Sequence, residues 1–366
     1  MTRSRPAGRA LRLLRAALAA LLAACASAAL ACPVCAPTAP LTAAQRMSDA
    51  DIAVLARPPA DGADAWRIVA TIKGQVDGVA SPQLAPPAYP SSDTRPLLLV
   101  RDRLSKTWSA VGPIVESEAD RVRGWTALRS PSTMHPADWR ERVAAFVPLL
   151  EHPEPLVAQT AYGEIARAPY GAMRAARQLL DASRLNRWLD DAALAPRRPL
   201  YLLLLGIVGG PADAARITRE LAAIGPDSPP AAVVDLPALL AADLELRGPG
   251  RLAEIGQAWL LDRTRPIFQV QAALVALSVH GTEDTTVPRR QVAQTYHRLI
   301  AARPAAAGLV AQDLAAWQDW SATPAYVALL DSPQVSMASR VAIVQYLRLS
   351  PAPEARDAVE RATRLR

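Results

Sequence analysis

Two cysteines, Cys32 and Cys35, have the spacing with the widest chemical reach in this chain of 366 residues. A Cys-x-x-Cys pair exchanges disulfides when a helix start or a nearby cation lowers the pKa of its first thiol. Redox folds set the pair after a strand, at the start of a helix within a βαβ unit. Here no strand precedes it, and it lies a few residues from the expected mature N-terminus. A c-type haem attachment needs histidine at position 36, where the chain has Ala36. Zinc needs further ligands, yet no cysteine follows, and His135, His152, His280 and His297 are scattered without ligand spacing. No metal and no cofactor are expected. The pair reads first as a structural or idle disulfide of an oxidising compartment, with thiol–disulfide exchange as the alternative.

Hydrolytic signatures are missing: there is no G-x-S-x-G, no H-E-x-x-H and no P-loop. The acidic pairs Asp190-Asp191 and Glu283-Asp284 fall at expected helix ends, where capping or a solvated face explains them without paired-carboxylate catalysis. The doublets Arg197-Arg198 and Arg289-Arg290 precede helices and read as solvated charge. No catalytic residues are assigned, and a non-enzymatic protein is expected.

The net charge of +7 invites a nucleic-acid partner, but its distribution removes that invitation. Arg3, Arg5, Arg9, Arg12 and Arg15 precede an apolar run from Ala16 to Ala31 with no acidic residue among them, the composition of a signal peptide over residues 1–31. Without those five charges the chain is close to balance, so no nucleic-acid binding is expected. Two cleavage points compete. Leu22-Ala23-Ala24-Cys25 resembles a lipobox and would make Cys25 a lipidated first residue; Ala29-Leu30-Ala31 before Cys32 suits ordinary signal peptidase. Either way the protein is exported, to the periplasm or beyond, free or lipid-anchored. No later apolar run reaches the roughly 18 residues of a membrane span.

Behind these residues stand the elements that must position them. Arg46 to Ala50 ends a short helix. Ile52–Ala56, Trp66–Lys73, Pro96–Arg101 and Thr107–Val111 read as short strands, the last two paired through Asp102–Lys106, and together suggest a small barrel or meander. The period turns helical after His135-Pro136, which sets a boundary near residues 130–136. Ala137–Leu150 is the first clear helix. The stretch from Arg197 to Gly225 then shows the repeating unit: a nearly all-apolar helix, a Gly-Gly-Pro turn, and an amphipathic helix with Ala215, Ile217, Leu221 and Ile224 inward. Similar pairs turn at Pro169, Gly248-Pro249, Gly281 and Pro351. The first turns stand 41, 39 and 32 residues apart, an irregular recurrence at about the period of HEAT-like α-solenoids. Trp317 and Trp320 are expected to pack a corner between helices.

The cysteine-bearing start, SDADIAVLARP at 48–58 and WRIVATIKG at 66–74 together resemble secreted netrin-like domains of the tissue-inhibitor-of-metalloproteinase type, over residues 32–111. The resemblance implies an OB-like β barrel. It also implies an inhibitor function in which the amine and carbonyl of a first cysteine chelate a target's zinc; Cys32 holds that position if cleavage falls before it. Those inhibitors tie their N-terminal cysteines to downstream cysteines, and this chain has none. The whole layout resembles exported bacterial proteins that open on Cys-Pro-x-Cys and continue into a helical array. The stretches HPEPLVAQTAYGEIARAPY (152–170), LYLLLLGIVGG (200–210), LAAWQDWSA (314–322) and VQYLRLSPAPEA (344–355) carry that likeness.

The expectation is an α+β, mostly α protein: a signal peptide (1–31), an OB-like β barrel (32–130) and a HEAT-like α-solenoid (137–366). The expected role is an exported binding or scaffold protein of the cell envelope with an unidentified protein partner. The alternatives are a thiol-redox factor using Cys32 and Cys35, and a netrin-like metalloprotease inhibitor.

Overall fold

The computed structural model describes Val34 and residues 41–59, 66–82, 84, 95–129 and 138–364. The signal segment, Cys25, Cys32, Cys35, His135 and the boundary at 130–136 lie outside the described residues. The chain is mostly helical, with one small antiparallel sheet.

Helix α1 (Ala43–Asp49) starts where Thr42 closes a capping box, its hydroxyl accepting from the Gln45 amide while the Gln45 side chain accepts from the Thr42 amide. It leads into β1 (Ala50–Arg57). With β2 (Arg67–Lys73), β3 (Leu97–Asp102) and β4 (Trp108–Pro113) this forms a sheet of order β2-β1-β3-β4. All four expected strands are present, and β3 and β4 pair as a hairpin. The closed OB-like barrel is not: β2 and β4 remain as edges, and β3 lies beside β1 and not beside β2, which also excludes a simple meander. Coverage explains this. Ala53, Leu55, Leu98 and Val100 face the helices, while Ile52, Val54, Leu97 and Leu99 pack under Trp66 and Trp108. Both faces are buried without closure, so the central strands read as continuous apolar runs. Helix α2 (Ala119–Trp125) rests on β2.

The expected helix at 137–150 is α3 (Trp139–Phe146) followed by one tight 3-10 turn at Val147–Leu149. Pro148 lacks the amide that an α-helix would use there. Then come α4 (Pro155–Ala166), α5 (Tyr170–Ala175), α6 (Ala182–Asp190), α7 (Arg198–Val208), α8 (Pro211–Ala222), α9 (Leu236–Arg247), α10 (Leu252–Ile255), α11 (Ile267–Glu283) and α12 (Arg289–Ala302). The chain ends in α13 (Ala311–Ala316), α14 (Thr323–Leu329), α15 (Met337–Leu349) and α16 (Pro353–Arg364). Helix α7 is buried along most of its length, as its composition requires. Helix α8 turns Ala214, Ile217 and Leu221 inward and leaves Ala215 in solvent, one position away from the expected face.

The turn expected at Gly281 does not exist. Helix α11 runs through it to Glu283 and ends on Asp284, which takes left-handed geometry at φ 52°. Gly281 serves packing, because a side chain there would collide with the Trp317 ring. Trp317 in turn stacks on Tyr296 at 5.5 Å, and Trp320 packs on Tyr346, so both tryptophans fill a corner as expected.

The sheet and the helices share one continuous apolar core. Two buried carboxylates join them. Glu154 accepts from the Val115 amide at 3.2 Å, and Glu164 accepts from the Thr42 hydroxyl and from Arg142 Nε.

Candidate functional site

The histidines and acidic pairs do not converge. His152 accepts from the Glu154 amide at 3.1 Å, and His297 lies beside Asp319 and Ser321. That last trio has the residue types of a nucleophile relay but not its wiring. Ser321 Oγ and Asp319 Oδ2 each stand 3.1 Å from the same ring atom, Nε2. A relay needs one partner on each ring nitrogen. Asp319 instead caps the turn at 320–322 through the Ser321 amide. Among the described residues no group of three or more His, Cys, Asp or Glu side chains is placed to hold a metal. No helix among them is long and apolar enough to cross a membrane.

Asp191 caps the turn at 192–197, and Asp284 accepts from the Arg289 amide, so both serve helix ends as expected. Of the arginine doublets only Arg290 is exposed charge, as expected; Arg197, Arg198 and Arg289 are engaged. Arg198 is half-buried and donates to Asp235, Glu220 and the Leu189 carbonyl, which joins α6, α8 and the start of α9. Arg289 donates to the Gly281 and Thr282 carbonyls at the end of α11.

The place where charged groups gather is a cavity of about 500 Å³ that sequence reasoning did not find. One wall is α3 and α5, which carry Arg140 and Arg174, and the turn after α5, which carries Arg177. Facing it are the C-terminal ends of α7, α9 and α11, which bring Ile207, Glu245 and Glu283 together. Because α7 packs on α9 and α9 on α11, their last turns line up along this wall.

Arg174 is held by its neighbours. Its Nε donates to Glu245 Oε1 at 2.8 Å and its Nη1 to Thr285 Oγ1 at 2.5 Å. Thr286 Oγ1 donates to the same carboxylate oxygen at 3.1 Å. The other oxygen, Glu245 Oε2, is buried without a hydrogen-bond partner among the described residues and lies 3.8 Å from His280 Nδ1. His280 is itself buried, with Nε2 2.9 Å from the Ala241 carbonyl. A carbonyl only accepts, so Nε2 carries the proton and a neutral ring turns its Nδ1 lone pair toward Glu245. Burial holds the His280 pKa below its ordinary value, against the upward pull of the Ala241 bond and Glu245. The edge of Tyr170 meets the His280 ring at 5.6 Å and seats α5 on α11.

Arg140 and Arg177 are exposed and make no hydrogen bond or ion pair among the described residues, and Glu283 makes none either. The Glu283 carboxylate lies against Gly171, where any side chain would displace it. The arrangement therefore offers binding chemistry: fixed and free guanidinium groups from α3, α5 and the turn after it, a carboxylate from the end of α11 that reaches across to Gly171 of α5, and the apolar side chains of Ala172 and Ile207 in the same lining. One signal for it was available in the sequence, the place of Glu245 and Glu283 near turns. It was incomplete, because Glu245 precedes the turn read at Gly248-Pro249 whereas Glu283 follows the one read at Gly281, and only the continuation of α11 to Glu283 brings the two to equivalent helix ends.

Comparison with known protein families, with curated proteins and with solved structures finds no match.

Proposed function

We infer that this chain is an exported, non-enzymatic binding or scaffold protein of the bacterial cell envelope, with its helices in a HEAT-like array. The observation that supports this is the order of packing. Helix α6 lies on α7, α7 on α9, α9 on α11 and α11 on α12. Helix α12 then meets the turn at 304–310, which meets α15, which meets α16. Each layer covers the apolar side of the one before it, and arrays of that kind use their long surface for binding. The leader, ending at Ala24 or at Ala31, delivers the chain across the inner membrane, with Cys25 or Cys32 respectively as its first mature residue. The partner is a protein, met through the array.

The test combines location, activity and contact. Expressed in a bacterium with its own leader, the chain should fractionate with the envelope and begin at Cys25 or Cys32. A photo-crosslinker at the exposed positions Met337 or Val341 should give one discrete protein adduct. Retention in the cytosol, or unaided turnover of a thiol or peptide substrate by the purified mature protein, would defeat the reading.

A further inference from the structure

The geometry points to the cavity between α3, α5 and the ends of α7, α9 and α11 as a binding site for a small organic zwitterion. Such a ligand carries an oxyanion for Arg140, Arg174 and Arg177 and an ammonium group for Glu283. The inference does not depend on the array meeting a protein partner.

Four observations carry it. The volume, about 500 Å³, is that of a small-molecule pocket and too small for a folded partner. The charges on its walls come from different elements. The arginines come from α3, α5 and the turn at 177–179, and Glu283 comes from the end of α11. The helix ends reinforce that polarity, because α7, α9 and α11 all turn their C-termini, the negative ends of their dipoles, toward the Glu283 side. Finally, Arg174 is prepared for a ligand. A carboxylate that is nine-tenths buried, Glu245, and the Thr285 hydroxyl fix its guanidinium in place at the cavity wall. A guanidinium fixed in that way binds an oxyanion without first losing side-chain freedom.

Arg140, Arg177 and Glu283 complete the recognition. All three line the cavity, and among the described residues none is engaged by another side chain. An anion alone would satisfy the arginines and leave Glu283 facing it unfavourably. A cation alone would do the reverse. A molecule bearing both charges, a few bonds apart, satisfies the arginines and Glu283 together, while Ala172 and Ile207 contact its carbon skeleton.

The experiment is calorimetric titration of the full mature chain with three probes: L-glutamate, glutarate (the same diacid without the amine) and inorganic phosphate. L-Glutamate should bind saturably and at least tenfold more tightly than glutarate or phosphate. Glu283→Gln should remove that margin by weakening L-glutamate alone. Gly171→Ala, which pushes the carboxylate away by a different route, should do the same. The double substitution Arg140→Ala/Arg177→Ala lies on the surface and should leave the melting temperature in place. It should weaken every probe by about tenfold or more, the scale of one charge-assisted hydrogen bond. The absence of saturable binding, binding of phosphate alone, equal binding of L-glutamate and glutarate, or indifference to the paired arginine substitution would each overturn the proposal.

Discussion

Arg142 and Glu164 meet at 2.5 Å with almost no solvent access to either side chain. Arg142 Nη1 also donates to the Arg129 carbonyl at 2.9 Å, Nη2 has no hydrogen-bond partner among the described residues, and Glu164 accepts from Thr42. An ion pair this deep is costly to break, because the surviving charge stays buried. Glu164→Ala should lower the unfolding free energy by about 3–5 kcal/mol, measured by urea denaturation. Arg142→Met combined with Glu164→Leu should recover most of that loss. His280 makes a second prediction at this scale. Its folded pKa lies below the ordinary 6.5, so the unfolded chain binds the proton more readily. Its contribution to stability is whole above 6.5 and is lost as the pH falls through 6.5 toward the folded value. The groups around it are Glu245 on α9, Arg174 and Tyr170 on α5, and the Ala241 carbonyl. His280→Gln keeps a donor for Ala241. It should reduce the difference in unfolding free energy between about pH 7.5 and about pH 5.5; an unchanged difference would assign the proton to another group.

At the scale of elements, Gly281 and Arg198 show how helices were fitted to one another. Alanine is the better helix former by about 1 kcal/mol, yet Gly281→Ala should destabilise by about 1–3 kcal/mol, since the added methyl must displace the Trp317 ring. A lowered thermal midpoint would show it, and Trp317→Leu in that background should relieve it. Arginine outnumbers lysine heavily here, with only Lys73 and Lys106 in the chain. The geometry gives a reason. Arg289 reaches two carbonyls at the end of α11, Arg303 reaches the Asp262 and Arg265 carbonyls, and Arg198 reaches three elements at once. A planar fork with five donors spans such sets, whereas a single ammonium does not. Arg198→Lys should therefore cost about 1–3 kcal/mol although the charge is kept, read as a shift of the denaturation midpoint at constant slope.

For the molecule as a whole, the sheet does not stand apart from the helices. Leu156 lies 3.3 Å from where a side chain on Gly112 would begin, α1 packs on α4, and one apolar core continues from β1 to α16. The two halves should unfold together. Amide exchange in β1 and β3 should reach the same opening free energy as in α7, and calorimetry should show one transition. A lower plateau for the sheet would indicate that it opens alone. The boundary placed near 130–136 on composition marks a change of period, which is a local property; cooperativity depends on which surfaces touch.

The same distinction separates what the sequence determined by itself from what tertiary structure decided. Periodicity and composition located the four strands, the buried helix α7 and the succession of helices, because each depends on how much of an element is covered and on which side. The tertiary structure decided what does the covering. It left the sheet open by packing helices on the face a barrel would enclose. It carried α11 through Gly281 because Trp317 occupies the space a side chain would need. It gathered Arg140, Arg174, Glu245 and Glu283 at one cavity from helices far apart in the chain. Local pattern records burial, but the partners of a polar side chain depend on the stacking order and register of whole helices.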